Sequence, residues 1–361
     1  MTNTILLFII GLVVLILGAD LLVRGASRLA AAFGVSPLAI GLTIVAIGTA
    51  SPEIAVSLKA AASGQGDLTL GNVLGSNIFN ILFILGVTSI VAPIVIAEQL
   101  IRKDAPIMLG VSLLTLALAL DGRLGWLDGT LLLIGLVVYT VFALRQSRAE
   151  SREVQNEYAE EFAAKQPRTA KQILINAGFI LIGLGLLVLG SNWLVESATE
   201  IAKALGVSEL VIGLTIVAVG TSLPEVATSV IAAVKGESDI AVGNAVGSNI
   251  FNLLGVLGIA ALVAPSGVTV ASRVLQFDLP VMIFVALVTL PVFYIDSRIS
   301  RIEGGLLLAY YVVYVAYVVL RAAQSATLPT VTLLSAFFVP LTFIALLVFA
   351  IRSARVKRTV V

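Results

Sequence analysis

The chain has 361 residues, of which 59% are hydrophobic and 12% are charged. A soluble domain carries about 25% charged residues, so this composition excludes an ordinary soluble enzyme and implies a polytopic, all-α membrane protein. Cysteine and histidine are both absent and the net charge is +1, which excludes disulfides, thiolate zinc sites, Ser–His or Cys–His catalysis and a nucleic-acid partner.

The first apolar run, residues 4–32, has no basic residue ahead of it. A secretory signal would carry a positive n-region, so the run is read as a retained helix. Further runs long enough to cross about 30 Å of hydrocarbon fall at 38–62, 69–92, 105–120, 125–144, 173–204, 210–234, 241–263, 277–295, 303–322 and 329–351. The run at 105–120 is short for a span. Between the fifth and sixth runs lies Arg145–Lys171, rich in Glu, Arg, Gln and Ala and expected to be a partly helical cytoplasmic linker. Its charges form no ligand-like cluster.

Within these runs one stretch occurs twice. Residues 34–93 carry GTASPE (Gly48–Glu53) and GNVLGSNIFN (Gly71–Asn80); residues 206–265 carry GTSLPE (Gly220–Glu225) and GNAVGSNIFN (Gly243–Asn252). The offset is 172 without a gap, and 35 of the 60 paired positions are identical. Glu53 and Glu225 sit near the middle of predicted spans, where a carboxylate costs several kcal/mol (about 2.5–3.5 on insertion scales) unless it is paired or coordinating. Pro52 and Pro224 predict a break just before each glutamate. Carbonyls freed by the break, the Thr49 and Thr221 hydroxyls and the carboxylates then converge as hard oxygen ligands, which suit Ca²⁺ or Na⁺. Ser76 and Asn80 are four apart and share a helix face, as do Ser248 and Asn252. Such residues in membrane helices often only bond a neighbouring helix; their duplication beside a Pro–Glu pair favours an ion site.

Basic residues set the orientation. With eleven spans and the N-terminus outside, 17 Lys and Arg fall inside and 5 outside, accounting for all 22. Each half then holds five spans, so the second copy enters the membrane inverted, with Glu53 and Glu225 facing one another. The divisions are residues 1–144 for the first inverted repeat, 145–172 for the linker, 173–322 for the second repeat, and 323–361 for an additional helix with a basic cytoplasmic tail.

These motifs resemble the cation/Ca²⁺ exchanger superfamily, in particular its prokaryotic sodium/calcium exchangers, to about residue 322. The resemblance implies secondary antiport by alternating access, with the first and sixth helices sliding. Carried over position by position, it implies ion ligands from the Ala46 carbonyl, Thr49, Glu53, Ser76 and Asn80, and from the Ala218 carbonyl, Thr221, Ser222, Glu225, Ser248 and Asn252. Ala50 stands where the family commonly has Ser, so the first repeat lacks one hydroxyl. Asn80 and Asn252 stand where some sodium-coupled members have Asp, so the site holds two acids and no third. Glu after GN, usual in the proton-coupled branch, is absent at Val73–Gly75 and Ala245–Gly247.

The expected activity is exchange of Ca²⁺ for Na⁺ across a prokaryotic plasma membrane, with no cofactor and no enzymatic reaction. Proton or K⁺ coupling is the alternative on the same fold. A cation channel would repeat one filter about a central axis rather than carry an inverted pair. The partners are the two ions and the lipid bilayer, and no motif assigns an oligomeric state. The charge bias is checked with one cysteine inserted after Lys357 in this cysteine-free chain. An impermeant thiol reagent outside right-side-out vesicles should leave it unlabelled; ready labelling would mean the helix count is wrong by one.

Overall fold

In hydrocarbon the backbone must satisfy its own donors and acceptors, so long apolar runs fold as helices. The computed structural model describes residues 2–149, 169–205 and 218–359. Its first half contains α1 (Thr2–Phe33), α2 (Pro37–Thr49), α3 (Ser51–Ala62), α4 (Gly66–Val91), α5 (Ala105–Ala119) and α6 (Trp126–Ala149). The second half contains α7 (Ala170–Ala204), α8 (Ala218–Gly220), α9 (Leu223–Val234), α10 (Ser238–Val263), α11 (Val274–Tyr294) and α12 (Arg301–Ala322). A last helix, α13 (Leu328–Thr359), follows and continues through the residues read as a basic tail.

Among the described residues, eight helices are long and apolar enough to cross a membrane, and the α2–α3 pair, bent by 52°, makes a ninth. The two other expected spans have local explanations. The short fourth run is extended by the turn Leu100–Asp104 before α5, which adds Arg102, Lys103 and Asp104 to its length. The seventh is seen as α8 and α9, while residues 206–217, including the start of that run, lie outside the described residues. So do residues 150–168 of the expected linker; α6 reaches Ala149 and α7 begins at Ala170, so both spans outrun their sequence limits.

Two features were not legible as periodicity. Five-residue π turns interrupt α2 at Gly41–Val45, α4 at Asn80–Ile84 and α10 at Asn252–Val256, and another opens α11 at Val274–Asp278. Four two-residue strands, β1 (Ile94–Val95), β2 (Arg123–Leu124), β3 (Val268–Thr269) and β4 (Arg298–Ile299), pair antiparallel as β1 with β4 and β2 with β3. Each pairing ties a loop of one half to a loop of the other.

The layering follows from burial. The central parts of α4 and α10 are 78% and 83% buried, against 28% for α1 and α7, so the motif-bearing helices form the centre and the two long helices flank it. Small residues let α1 and α7 approach closely. A methyl group built at Gly11 would lie 3.1 Å from the Gly190 carbonyl oxygen, at Gly18 2.8 Å from that of Gly183, and at Gly25 2.8 Å from that of Asn176. The partner numbers fall as the first numbers rise, so the helices are antiparallel. Gly11 and Gly18 are also the positions 172 before Gly183 and Gly190, so corresponding helices of the two repeats run in opposite senses.

This seam is expected to reject side chains. A Cβ at Gly190 would sit 2.6 Å from the Leu15 backbone nitrogen, whereas one at Gly185 meets nothing within 4 Å. Overpacking costs about 1–3 kcal/mol and more when backbone must move. Gly190→Leu is therefore expected to lower the unfolding temperature of the detergent-purified protein clearly, and Gly185→Leu to leave it nearly unchanged. Equal behaviour of the two variants would show that the helices do not meet on this face.

Candidate cation site

The site begins with the two broken helices. Pro52 and Pro224 occupy the first turns of α3 and α9, where the missing N–H removes no helical bond. Their rings deprive Gly48 and Gly220 of an amide partner four residues on. Those carbonyls do not remain open: Ser51 Oγ donates to the Gly48 oxygen at 2.6 Å, and Ser191 Oγ of α7 donates to the Gly220 oxygen at 2.9 Å. The Ala46 carbonyl, two residues before Gly48, accepts from the Ala50 N–H at 3.1 Å and lies 3.5 Å from Ser248 Oγ, which donates to it. Ala218 opens α8.

Each break turns its glutamate inward at the start of the next helix. Glu53 and Glu225 are both 1% exposed. Asn72 Nδ2 donates to the Glu53 carbonyl at 3.2 Å and to Ser57 Oγ at 2.9 Å; Asn244 Nδ2 donates to the Glu225 carbonyl at 3.3 Å and to Ser229 Oγ at 3.0 Å. The GN pair of the second motif therefore fastens the glutamate turn of the first, which accounts for their constant separation of 19 residues. Asn72, Asn244, Ser57 and Ser229 were not among the sequence candidates. Their recurrence at an offset of 172 was the available signal.

The carboxylates are bracketed from the opposite repeat. Ser222 Oγ donates to Glu53 Oε1 at 2.7 Å and lies 3.5 Å from Ser76 Oγ. Thr221 Oγ1 is buried beside Glu53 without completing a hydrogen bond. In the mirrored position Thr49 stands beside Glu225, and its hydroxyl donates to Asn244 Oδ1 at 3.0 Å. The two carboxylates lie within electrostatic reach of each other. Ala50, lacking a hydroxyl, offers Glu225 no equivalent of Ser222.

A third layer is built from four asparagines. Asn77 Nδ2 donates to the Asn249 carbonyl at 3.2 Å, and Asn249 Nδ2 returns to the Asn77 carbonyl at 3.1 Å. A carbonyl can only accept, so both amides are fixed with Nδ2 towards the partner backbone. Their oxygens then accept from Asn80 Nδ2 at 3.0 Å and Asn252 Nδ2 at 3.1 Å. The Oδ1 atoms of Asn80 and Asn252 are left buried with no protein donor, as are Oε2 of Glu53 and of Glu225. Asn80 and Asn252 each open a π turn, which re-aims the helix at that residue.

The result is two pairs of buried acceptor oxygens, related by the repeat and lacking protein donors. Buried polar atoms without partners are rare, and a lone acceptor is satisfied by a hydrogen-bond donor or a cation. Among the described residues no group of three or more His, Cys, Asp or Glu could hold a metal ion, so the ligand chemistry is two carboxylates with neutral oxygens. That set matches hard cations such as Ca²⁺ and Na⁺ and not soft metals.

Comparison with known proteins agrees with this chemistry. The model of the sodium/calcium exchanger protein family matches residues 3–145 and 175–320. The chain belongs to that family. Its members are membrane transporters that exchange cations for Ca²⁺, not enzymes. Among curated relatives, the putative antiporter CaxA of Alkalimonas amylolytica is 39% identical over 270 residues, covering 74% of this chain and 83% of that protein. The sodium/calcium exchanger MaX1 of Methanosarcina acetivorans is 34% identical over 298 residues, with 74% and 84% covered. The inner membrane protein YrbG of Escherichia coli (strain K12) is 38% identical over 217 residues, 60% of this chain and 66% of that protein. A solved structure of the sodium-calcium exchanger NCX_Mj aligns with TM-score 0.73 and 31% identity, over 87% of this chain and 98% of that one.

The asparagine layer makes a test of the family site in this chain. Asn249→Ala removes one of the donors to the Asn77 carbonyl and leaves the Asn80 amide without its acceptor. A buried group so orphaned costs about 1–3 kcal/mol, so the unfolding temperature of the purified exchanger is expected to fall by several degrees. A wild-type melting curve would show that the four amides do not form this network.

Proposed function

We propose that this exchanger moves Ca²⁺ against Na⁺, binding both ions alternately at the midplane between the two Glu-bearing broken helices. The observation that carries this reading is the set of four buried oxygens, Glu53 Oε2, Glu225 Oε2, Asn80 Oδ1 and Asn252 Oδ1, without protein donors. Two carboxylates give the site about −2 charge, which one Ca²⁺ or two Na⁺ balance. Thr49, Thr221, Ser76, Ser222, Ser248 and the carbonyls of Ala46 and Ala218 complete the ligand shell in this reading. The relatives' character supports it, since MaX1 is a sodium/calcium exchanger and NCX_Mj was studied after soaking with Na⁺, Ca²⁺ or Sr²⁺.

Two protons would also neutralise the carboxylates, and proton coupling is the second reading. The amide oxygens speak against it. Asn80 and Asn252 bind no proton near neutral pH, and their fixed oxygens are of use to a metal cation. No histidine exists to relay protons. We further propose that the working unit is residues 1–144 and 173–322 joined by the linker 145–172, with 323–361 as an addition. The N-terminus lies outside and the C-terminus in the cytoplasm of a prokaryotic plasma membrane; the basic-residue bias supports the orientation and the YrbG similarity supports the membrane. The site needs no cofactor beyond the transported ions.

Purified protein in liposomes is expected to take up Ca²⁺ against an outward-directed Na⁺ gradient at constant pH, while a pH gradient alone drives little. Glu53→Gln and Glu225→Gln should each abolish that uptake and retain the folded protein. Robust uptake on the pH gradient with no effect of Na⁺ would make the protein a proton/Ca²⁺ exchanger. Wild-type uptake by either Gln variant would remove the carboxylates from the ion site.

A further inference from the structure

Helix α13 lies beyond the family match, which ends at residue 320, and it does not close tightly onto α11 and α12. A cavity of about 460 Å³ separates the three helices, within the size range of ligand sites. From α11 it is lined by Phe277, Val281, Phe284 and Val285, a single helix face by their spacing. From α12 come Tyr310, Tyr314 and Tyr317, again one face, and from α13 Thr332, Ser335, Val339 and Pro340. The lining thus runs from the start of α11 to its middle, about 12 Å at 1.5 Å per residue. Half of the hydrocarbon layer is about 15 Å deep.

The two ends of this slot differ in chemistry. The inner end is aromatic, with Phe284 edge-on to Phe343 at 5.4 Å and Tyr310 Oη bonded to Thr342 Oγ1. At the mouth Phe277 stacks on Tyr317 at 4.5 Å, and the Arg321 guanidinium lies 5.8 Å above the Phe277 ring. Arg321 is exposed and, among the described residues, forms no ion pair within 4.0 Å, although its charge reaches Asp278, which neighbouring Arg273 contacts at 3.7 Å. A long apolar channel of one-leaflet depth with an exposed guanidinium at its rim matches one occupant. It fits an amphiphile with an extended tail and an anionic head.

We propose that the slot between α11, α12 and α13 binds a membrane phospholipid, with one acyl chain inside it and the phosphate at Arg321. The slot touches the candidate ion site through Leu82, which lines the cavity and belongs to the π turn that begins at Asn80. The bound chain buttresses that turn from behind. This last consequence rests on the exchanger reading; lipid binding does not.

The test is native mass spectrometry of the detergent-purified full chain, titrated with dioleoyl phosphatidylglycerol and, separately, with dioleoylglycerol, which has the same tails and no phosphate. One phosphatidylglycerol per chain is expected to be retained in clear preference to dioleoylglycerol. Val339→Trp, which fills the slot, should reduce retention at least about tenfold, a loss of the kind a blocked pocket produces. Arg321→Ala should weaken it about fivefold, the worth of one cation beside an anionic lipid, and Arg321→Lys should restore most of it. If Val339→Trp does not fold, as judged by its melting curve, the exposed Arg321 variants decide alone. Equal retention of both lipids, wild-type retention by Arg321→Ala, or dimers of the chain in place of lipid adducts would overturn the proposal.

Discussion

A carboxylate buried in a membrane-spanning bundle has to be held in place by groups that do not themselves satisfy it fully, and here that condition governs the arrangement of most other parts. Glu53 and Glu225 are almost fully buried, yet each keeps one oxygen without a protein donor. Insertion scales put an acidic residue at the centre of a span at about 2.5–3.5 kcal/mol, and two of them close together repel. The fold answers with neutral dipoles and, among the described residues, no buried cation. Asn72 and Asn244 fix the backbone of each glutamate turn, and Ser222 fixes one Glu53 oxygen. A lysine at the same place would have neutralised the site permanently and left nothing for a mobile cation to do.

The asparagines show how an inter-helix network can fix the direction of oxygens that it leaves unpartnered. Hydrogen bonds between neighbouring helices were the plainer reading of Asn80 and Asn252, and their Nδ2 groups do make such bonds. Because Asn77 and Asn249 are locked onto each other's backbone carbonyls, those same bonds dictate which way the Asn80 and Asn252 oxygens point. The inter-helix bond and the oxygen left without a donor are therefore two ends of one amide. An aspartate at either position would give up the donor that fixes its orientation while adding charge.

Much of this was legible in the sequence because the chain repeats itself. Duplication at 172 marked Glu53, Glu225, Ser76, Asn80, Ser248 and Asn252 without reference to structure, and the prolines located the breaks. What escaped is what depends on a partner distant in sequence. Gly48 and Gly220 lose the same amide to equivalent prolines, but one is capped by its own neighbour Ser51 and the other by Ser191 from α7. The π turns escaped because one inserted residue leaves hydropathy unchanged while rotating the face that follows. The four short strands escaped because two residues carry no period.

The two repeats are alike at the centre and unlike at the rim, and the difference has a physical logic. Positions around the two buried carboxylates gain from symmetry, since each carboxylate turn has the same backbone clamp and each Asn the same amide partner. Outside the site the copies diverge freely. Asp20 of α1 is paired with Arg24 and Lys235, but the positions 172 away hold Asn192 and Ser63, which form no ion pair. Exposed pairs of this kind contribute about 0–1 kcal/mol, too little to decide the fold. The Asp20 cluster has no copy at the repeat-related positions, so that the two sides of an otherwise two-fold-related molecule are chemically distinct. An inverted repeat supplies a site reachable in principle from either side; unpaired substitutions such as Asp20 and Lys235 are what make those sides unequal.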